Sequence, residues 1–341
     1  MIKTIIYSCV FFNEKYINLI NLLLKSYKLF GNSSDDVDYL IICNPNFQKK
    51  IQAIFDNLNI SGKIWCIDLK TKFEAGYSRL KIFDYPDINL YNKILYLDCD
   101  ILVTNSINNI LDFQLENKLY ALKEYCHRNF HCQLFTDEEY ELLDKNSAFS
   151  SGILLFNNHK VIKDLFSQIL LHIHNHITSD LPIPFCLDQP FIVYHAVKNN
   201  LYNNQKLINM VINNPNNFNN ETISHFPGGP GHYESKIVKM TNYMRDIMFN
   251  IYNQDSEDCE LKLRNNNSLI NKKYLWQNSN IKFLESGKMN AFGVGKYRFI
   301  NKYLIKCDFG GREHLLKFND DYSRFISIRK DDFEVVVGNH L

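Results

Sequence analysis

An α/β domain followed by a small antiparallel β module is predicted by three observations. The first part of the chain alternates short β-branched apolar runs with segments of helical period, the pattern of a parallel or mixed sheet covered by helices. One strongly apolar run, Lys93–Leu97, ends in two acids one residue apart, Asp98 and Asp100. Beyond a polar stretch that starts near residue 253, helical period gives way to short runs of period two separated by turn residues.

The elements follow in order. Ile2–Phe12 reads as the first strand. Glu14–Phe30 reads as a helix, with Ile17, Ile20, Leu24 and Tyr27 at helical spacing and Gly31 as its stop. Val37–Cys43 is a strand, Phe47–Leu58 a helix, Ile64–Ile67 a strand and Gly76–Phe83 a helix that ends before Pro86. Lys93–Leu97 and Ser151–Phe156 are buried strands, Val161–Ile177 is a helix, and Ile192–Val197 is a further apolar segment. The Asn-rich stretch 203–220 reads as a surface insertion. The expected organisation is a three-layer α/β/α domain over residues 1–252, a linker at 253–272 and an antiparallel module, meander or small barrel, over 273–341. Its strands are expected at Asn280–Glu285, Lys296–Ile300, Tyr303–Asp308, His314–Phe318, Arg324–Ile328 and Phe333–Val337.

Composition removes several classes. With 45% hydrophobic residues in 341, the chain supports a sizeable core. Lys and Arg number 38 against 37 Asp and Glu, and no basic stripe is present, so nucleic acid is not an expected partner. No run approaches the ~20 apolar residues of a membrane span. The apolar N-terminus runs into the first helix without a cleavage site, so a cytoplasmic location is expected. Nine cysteines without a CxxC pair suggest free thiols in a reducing compartment. The Cys126, His127, His131, Cys132 cluster does not have zinc spacing, and His172, His174 and His176 do not share a helix face.

Asp98 and Asp100 are the most informative residues. In extended backbone, residues i and i+2 project to one side, so the two carboxylates face each other while Cys99 turns away. Like charges beside an apolar strand are unfavourable unless a cation joins them, and a hard divalent ion, Mn²⁺ or Mg²⁺, suits oxygen ligands. Such an ion stabilises a departing diphosphate.

Tyr91-Asn-Lys-Ile-Leu-Tyr-Leu-Asp98-Cys-Asp100-Ile-Leu-Val103 resembles the metal-binding signature of the family-8 glycosyltransferases, the glycogenin-like and lipopolysaccharide galactosyltransferase-like enzymes. The resemblance runs from about Ile5 to Lys239 through several motifs in order. It implies a GT-A fold and a retaining transfer of a hexose from a UDP-sugar to a carbohydrate or glycosylated-protein acceptor. It also implies roles by position. Val10, Phe12, Asn13 and Tyr16 stand where the family holds the uracil and nearby groups, and Arg79 where a basic residue meets the diphosphate. Ser150, Ser151 and Gly152 resemble the family's Asn-(Ala/Ser)-Gly strand, with Ser150 in place of Asn. Asp188 and Gln189 resemble the Asp-Gln pair beside the anomeric carbon, the catalytic positions. His225 resembles the imidazole that completes the metal site and opens a glycine loop, here Gly228 and Gly229. The family's loop lysine is missing, and His232, Lys236 and Lys239 are the basic residues left to replace it.

Two rival classes are weighed. A sugar nucleotidyltransferase needs a Gly-rich basic loop after the first strand, and Ser8–Glu14 has no Gly, Lys or Arg. A catalytically weak UDP-sugar or glycan-binding protein on the same fold would take up UDP without releasing sugar.

Overall fold

The structure is a computed structural model that describes residues 3–31, 34, 36–228, 232–253, 269–277, 279–285, 287–291 and 293–341. Its first strand, β1 (Thr4–Val10), is followed by α1 (Lys15–Phe30), β2 (Val37–Cys43), α2 (Gln48–Leu58), β3 (Gly62–Cys66) and α3 (Lys72–Tyr77). Next come β4 (Lys93–Leu97), β5 (Ile101–Val103), α4 (Asn108–Leu111), β6 (Leu119–Lys123), α5 (Asp137–Leu142), β7 (Phe149–Asn157), α6 (Lys160–Thr178) and α7 (Gln189–Lys198). The short strands β8 (Tyr202–Asn203), β9 (Val211–Asn213) and β10 (Ile223–His225) lead to α8 (Tyr233–Asn253). The chain divides into two compact units, one of Met1–Ala53 with Ser61–Met240, the other of Ile54–Ile60 with Thr241–Leu341.

The first unit is built on a seven-stranded mixed sheet in the order β3-β2-β1-β4-β7-β6-β8. The order follows from the pattern of residues. β1, β2 and β4 are near-continuous apolar runs, which suits strands covered on both faces, and they pair in parallel. β7 enters antiparallel to β4, with Leu97 opposite Ile153. The direction of the sheet therefore changes beside the end of β4, a usual place for a ligand. Tyr7, Tyr96, Phe149, Phe156, Phe166 and Phe191 are all fully buried in the core of this unit. α1 buries Leu19, Leu23 and Leu24, and α6 buries Ile162, Leu165, Phe166, Ile169 and Ile173, as helical spacing requires.

Three expectations are corrected here. The Asn-rich stretch is not a surface insertion. It contributes β8 to the main sheet and β9 to a second, three-stranded sheet in the order β5-β10-β9. Buried Val211 and Leu207 hold it in place. The helix expected at 76–83 is divided, with α3 running into a tighter 3-10 segment, Ser78–Asp84. α3 is closed by a capping box in which the Thr71 hydroxyl accepts from Glu74 N and the Glu74 carboxylate accepts from Thr71 N. The cysteines are not all free thiols, since Cys126 and Cys132 are joined by a disulfide between Cα atoms 5.7 Å apart. Cys9, Cys43, Cys66, Cys99, Cys186 and Cys307 are free.

The second unit holds a closed barrel of eight antiparallel strands: β11 (Lys273–Trp276), β12 (Ser279–Phe283), β13 (Lys288–Ala291), β14 (Gly293–Asn301), β15 (Leu304–Phe309), β16 (Arg312–Phe318), β17 (Arg324–Arg329) and β18 (Val335–His340). β18 closes on β11, with His340 opposite Tyr274, so the barrel has no free edge. Its interior is aromatic, including Tyr274, Trp276, Phe283, Phe318 and Phe325. Gly338 is required by this filling, because a Cβ there would lie 2.1 Å from Phe325 Cζ. The expected linker falls mostly outside the described residues. No helix among the described residues is long and apolar enough to cross a membrane.

One titratable pair in the first unit predicts how stability responds to acid. His172 Nδ1 and His195 Nε2 lie 3.0 Å apart between α6 and α7. Burial, then the neighbouring His172, pulls His195 down to about 4, and burial with His176 also lowers His172. In the unfolded chain both titrate near 6.5. A depressed folded-state value means that the unfolded chain takes up protons first. Their stabilising contribution is therefore complete above about pH 6.5 and is lost as pH falls towards 4. The urea midpoint is expected to drop between pH 7 and pH 5, and His195→Phe to flatten that drop.

Candidate active site

The acid pair sits on the turn between β4 and β5, at the carboxyl end of the sheet's central parallel strand. The Cys99 thiol between them donates to Cys9 O at 3.1 Å. Strand register then brings in the imidazole. β10 runs antiparallel to β5 with His225 opposite Ile101, and Phe226 N donates to Asp100 O at 2.9 Å. β9 runs parallel to β10 with Asn213 opposite His225. One oxygen from each acid and one ring nitrogen of His225 lie within 4.8 Å of one another.

The hydrogen bonds fix how His225 is presented. Asn213 Nδ2 faces Glu124 Oε1 at 3.4 Å, and a carboxylate can only accept. Asn213 therefore turns its Oδ1 towards His225 Nδ1, 2.8 Å away, and that nitrogen is the donor. His225 Nε2 is then left to face Asp100 Oδ1, 3.5 Å away. Asp100 Oδ1 is buried and has no hydrogen-bond partner. A buried carboxylate oxygen this close to a ring nitrogen calls for a proton or a metal cation between them. The donor set of two carboxylates and one imidazole fits Mn²⁺ or Mg²⁺. Gly152 leaves room for this arrangement, since a Cβ there would lie 2.7 Å from His225 Cε1, 2.8 Å from His225 Nε2 and 3.2 Å from Asp98 Oδ2.

Positive charge surrounds the acids on both sides. Arg79 is buried on the 3-10 segment, where its Nη1 donates to Ser151 O at 2.7 Å and meets Asp98 Oδ2 at 3.4 Å. Its Nε lies 3.1 Å from Asp188 Oδ2 in a charge contact that lacks hydrogen-bond alignment, and its guanidinium stacks over the Tyr96 ring at 4.7 Å. Tyr96 in turn donates to Asp98. On the other side, Lys236 Nζ from the first turn of α8 donates to Asp100 Oδ2 at 2.5 Å. Burial alone would raise the Asp100 carboxyl, but the Lys236 ammonium and His225 together outweigh it and hold the group well below the usual carboxylate range. Asp188 differs. Burial pushes it up to about 6, with Arg79 opposing and Asp98 adding to the rise.

These groups line one cavity of about 320 Å³. Of the residues singled out in the sequence, Phe12, Tyr16, Arg79, Asp98, Asp100, Ser150, Ser151, Gly152, Asp188, Gln189, His225 and Gly228 line it. Val10 is buried in the core and Asn13 lies in the turn before α1, its Oδ1 accepting from Lys15 N at 2.9 Å, so Cys9 and Phe11 line the wall instead. His232 is exposed outside the lining, and Gly229 lies outside the described residues. Among the three basic residues left open for the loop, Lys236 lines the cavity. Phe12 and Leu187 both carry positive φ, 66° and 54°, a strained backbone at the cavity wall.

Sequence reasoning did not single out Asn213 or Glu124, and it weighed the Cys126–Cys132 loop only as a zinc cluster, not as a disulfide. Asn213 orients the His225 imidazole from inside a stretch whose composition signals only polarity. Asn213→Ala is expected to weaken Mn²⁺ binding by roughly 10-fold or more, the usual effect of losing such a partner, which calorimetric titration measures.

Two carboxylates and an imidazole that could hold a metal ion thus converge beside a buried guanidinium at the carboxyl ends of the strands. A family model for glycosyl transferase family 8 matches residues 12–228, more than half of the chain, and the chain belongs to that family. Among solved structures it is similar to a bifunctional glycosyltransferase, WbbM, in its apo form, at 15% identity over 73% of this chain and 51% of that one, TM-score 0.48. It is similar to the glycosyltransferase GlyE of Streptococcus pneumoniae TIGR4 at 16% identity over 72% and 64% of the two chains, TM-score 0.42. It is also similar to mouse xyloside xylosyltransferase 1 at 12% identity over 66% and 98%, TM-score 0.47. The chain thus spans about half of the first of these and under two thirds of the second. No curated protein matches it significantly.

Proposed function

We propose that this chain transfers a hexose from a UDP-sugar to an acceptor hydroxyl, with retention of configuration, using Mn²⁺ or Mg²⁺ held by Asp98, Asp100 and His225. The observation that carries this reading is the convergence of Asp98, Asp100 and His225, with buried Asp100 Oδ1 lacking a hydrogen-bond partner and facing His225 Nε2 in the wall of the cavity. When bound, the ion supplies charge that stabilises the diphosphate as it leaves.

The other residues have complementary tasks. Arg79 anchors Asp98 and Asp188 in a buried charge array and offsets diphosphate charge from the protein side. Lys236 is the basic residue assigned to the diphosphate, since its ammonium already stands at the acid pair and its stem passes Gly228. Phe12 and Tyr16 are assigned to the uracil, with Tyr16 held edge-on by Tyr233 at 4.9 Å. Asp188 and Gln189 are assigned to the donor sugar. Gln189 is fixed for this by donating its amide to Phe149 O and Glu124 Oε2, both at 2.9 Å. The assigned site lies within residues 9–236, inside the expected catalytic domain 1–252.

The test is release of UDP from UDP-glucose and UDP-galactose with added Mn²⁺, with EDTA as control. Turnover should need the metal, and Lys236→Met should raise the donor KM by about tenfold, the order expected for a lost charge-assisted contact. Metal-independent turnover, or preference for a donor lacking a diphosphate, would refute the reading.

A further inference from the structure

The histidine pair between α6 and α7 takes no part in the active site, and its geometry allows more than a hydrogen bond. His172 Nδ1 and His195 Nε2 lie 3.0 Å apart. Two imidazole nitrogens bound to one ion at about 2.0–2.1 Å stand roughly 2.9–3.4 Å from each other, for bond angles from square to tetrahedral. The pair therefore already has the separation of a chelate, and an ion could enter with little or no movement of the helices.

Local packing holds both rings in place. His172 and His176 stand four residues apart and share a face of α6, while His174 is exposed. Phe191 meets His172 and His176 edge-on, at 5.1 Å from each, and Tyr194 flanks His172 at 5.8 Å and His195 at 5.3 Å. His176 is engaged elsewhere, its Nε2 donating to Pro182 O at 2.9 Å. Among the described residues no third His, Cys, Asp or Glu joins the pair as a ligand. Both rings are only half-buried, so water reaches them and can complete the coordination of an ion.

The donor chemistry selects the kind of ion. Two imidazoles suit Zn²⁺, Ni²⁺ or Cu²⁺ rather than the hard Mg²⁺, the reverse of the oxygen-rich site at Asp98 and Asp100. No proton need leave the protein. The ring that donates in the metal-free pair moves its N–H to its other nitrogen, and both lone pairs then face the ion.

We infer that His172 Nδ1 and His195 Nε2 form a second metal site, a two-imidazole clamp that joins α6 to α7 through a borderline divalent transition metal. α7 begins at Gln189, directly after Asp188, so the clamp fixes the helix behind two cavity-lining residues. With two protein ligands and water, the ion is held more weakly and exchanges more readily than in a closed four-ligand site. The inference does not depend on the donor reading.

Zn²⁺ is the probe that tests it. Crystals of the full chain soaked in Zn²⁺, measured on both sides of the zinc absorption edge, should show an anomalous peak between His172 Nδ1 and His195 Nε2. In solution, calorimetric titration of EDTA-stripped protein with Zn²⁺ should find this site weakened by at least about tenfold in His172→Gln and in His195→Gln, since losing even a ligand's supporting partner costs that much. Asp100→Asn should retain the site, and excess Mg²⁺ should not displace Zn²⁺ from it. Circular dichroism checks that the variants fold, and the wild-type crystal needs no variant. A soaked crystal with no peak between the two rings, or Zn²⁺ binding left unchanged by both His variants, would overturn the site and leave the pair a hydrogen bond.

Discussion

Replacing Asp100 by Asn is expected to lower Mn²⁺-dependent release of UDP by roughly 10³-fold. The substitution keeps shape and removes one negative charge from the centre of the site. Asp100 is the residue on which the arrangement converges. One oxygen faces His225 without a hydrogen-bond partner, and the other accepts from Lys236. An Asn side chain would present either an N–H to the cation position or a weaker oxygen, and neither completes a set of two carboxylates and an imidazole. The fold should survive, because the Asp100 main chain keeps its bond to Phe226 N. Stability should fall in metal-free protein, because the neutral amide leaves the half-buried Lys236 ammonium without its ion-pair partner. The measurement is a metal titration with a thermal melt on the same sample. A variant with normal metal affinity would remove Asp100 from the ligand set.

Gly152→Ala should produce a similar loss of metal binding without altering any ligand. The new methyl would occupy the space of the His225 ring edge, at 2.7 and 2.8 Å from its atoms, and crowd Asp98 Oδ2 at 3.2 Å. His225 has little room to retreat. Its Nδ1 is tied to Asn213, its main chain lies in register between β5 and β9, and the residue is 3% exposed. Overpacking of this kind costs about 1–3 kcal/mol of stability, so the melting temperature should fall only modestly. The metal dissociation constant should rise by more than about tenfold, because a shift of the imidazole by a fraction of an ångström breaks the ligand geometry. A Gly152→Ala protein with unchanged metal affinity would show that the cation does not sit between Asp98 and His225.

Much of this site was legible in the sequence because its parts lie at ends of strongly patterned elements. Val37–Cys43 and Lys93–Leu97 are apolar runs whose limits coincide with the observed strands. Strands of that kind leave few choices for where an acid pair at their end can point. His225 and Arg79 were identifiable through motif order, although the segment around Arg79 folds as a tight 3-10 turn rather than a regular helix. Asn213 was not legible. Its role depends on the pairing of β9 with β10, a long-range register that a run of asparagines does not encode.

α8 carried a readable signal that polarity obscured. Met240, Tyr243, Met244, Ile247 and Met248 are all buried and recur at helical spacing, but charged residues at the start of the segment dilute the pattern. Reading that helix would have placed Lys236 one turn into it, close behind the glycine loop. The disulfide was hidden for another reason. Five residues lie between Cys126 and Cys132, and only a turn that brings their Cα atoms to 5.7 Å makes the bond possible. In the barrel, β11 and β13 are four-residue strands too short to show alternation, whereas the longer β14 to β18 were recognisable.

Diffraction from crystals grown with Mn²⁺ and UDP, recorded for the anomalous signal of manganese, tests the central claim most directly. An anomalous peak is expected within coordination distance of Asp98, Asp100 and His225 Nε2, with the Lys236 ammonium moved off Asp100 towards the diphosphate. A UDP-bound crystal with no peak between those three side chains, and with Lys236 still paired to Asp100, would contradict it.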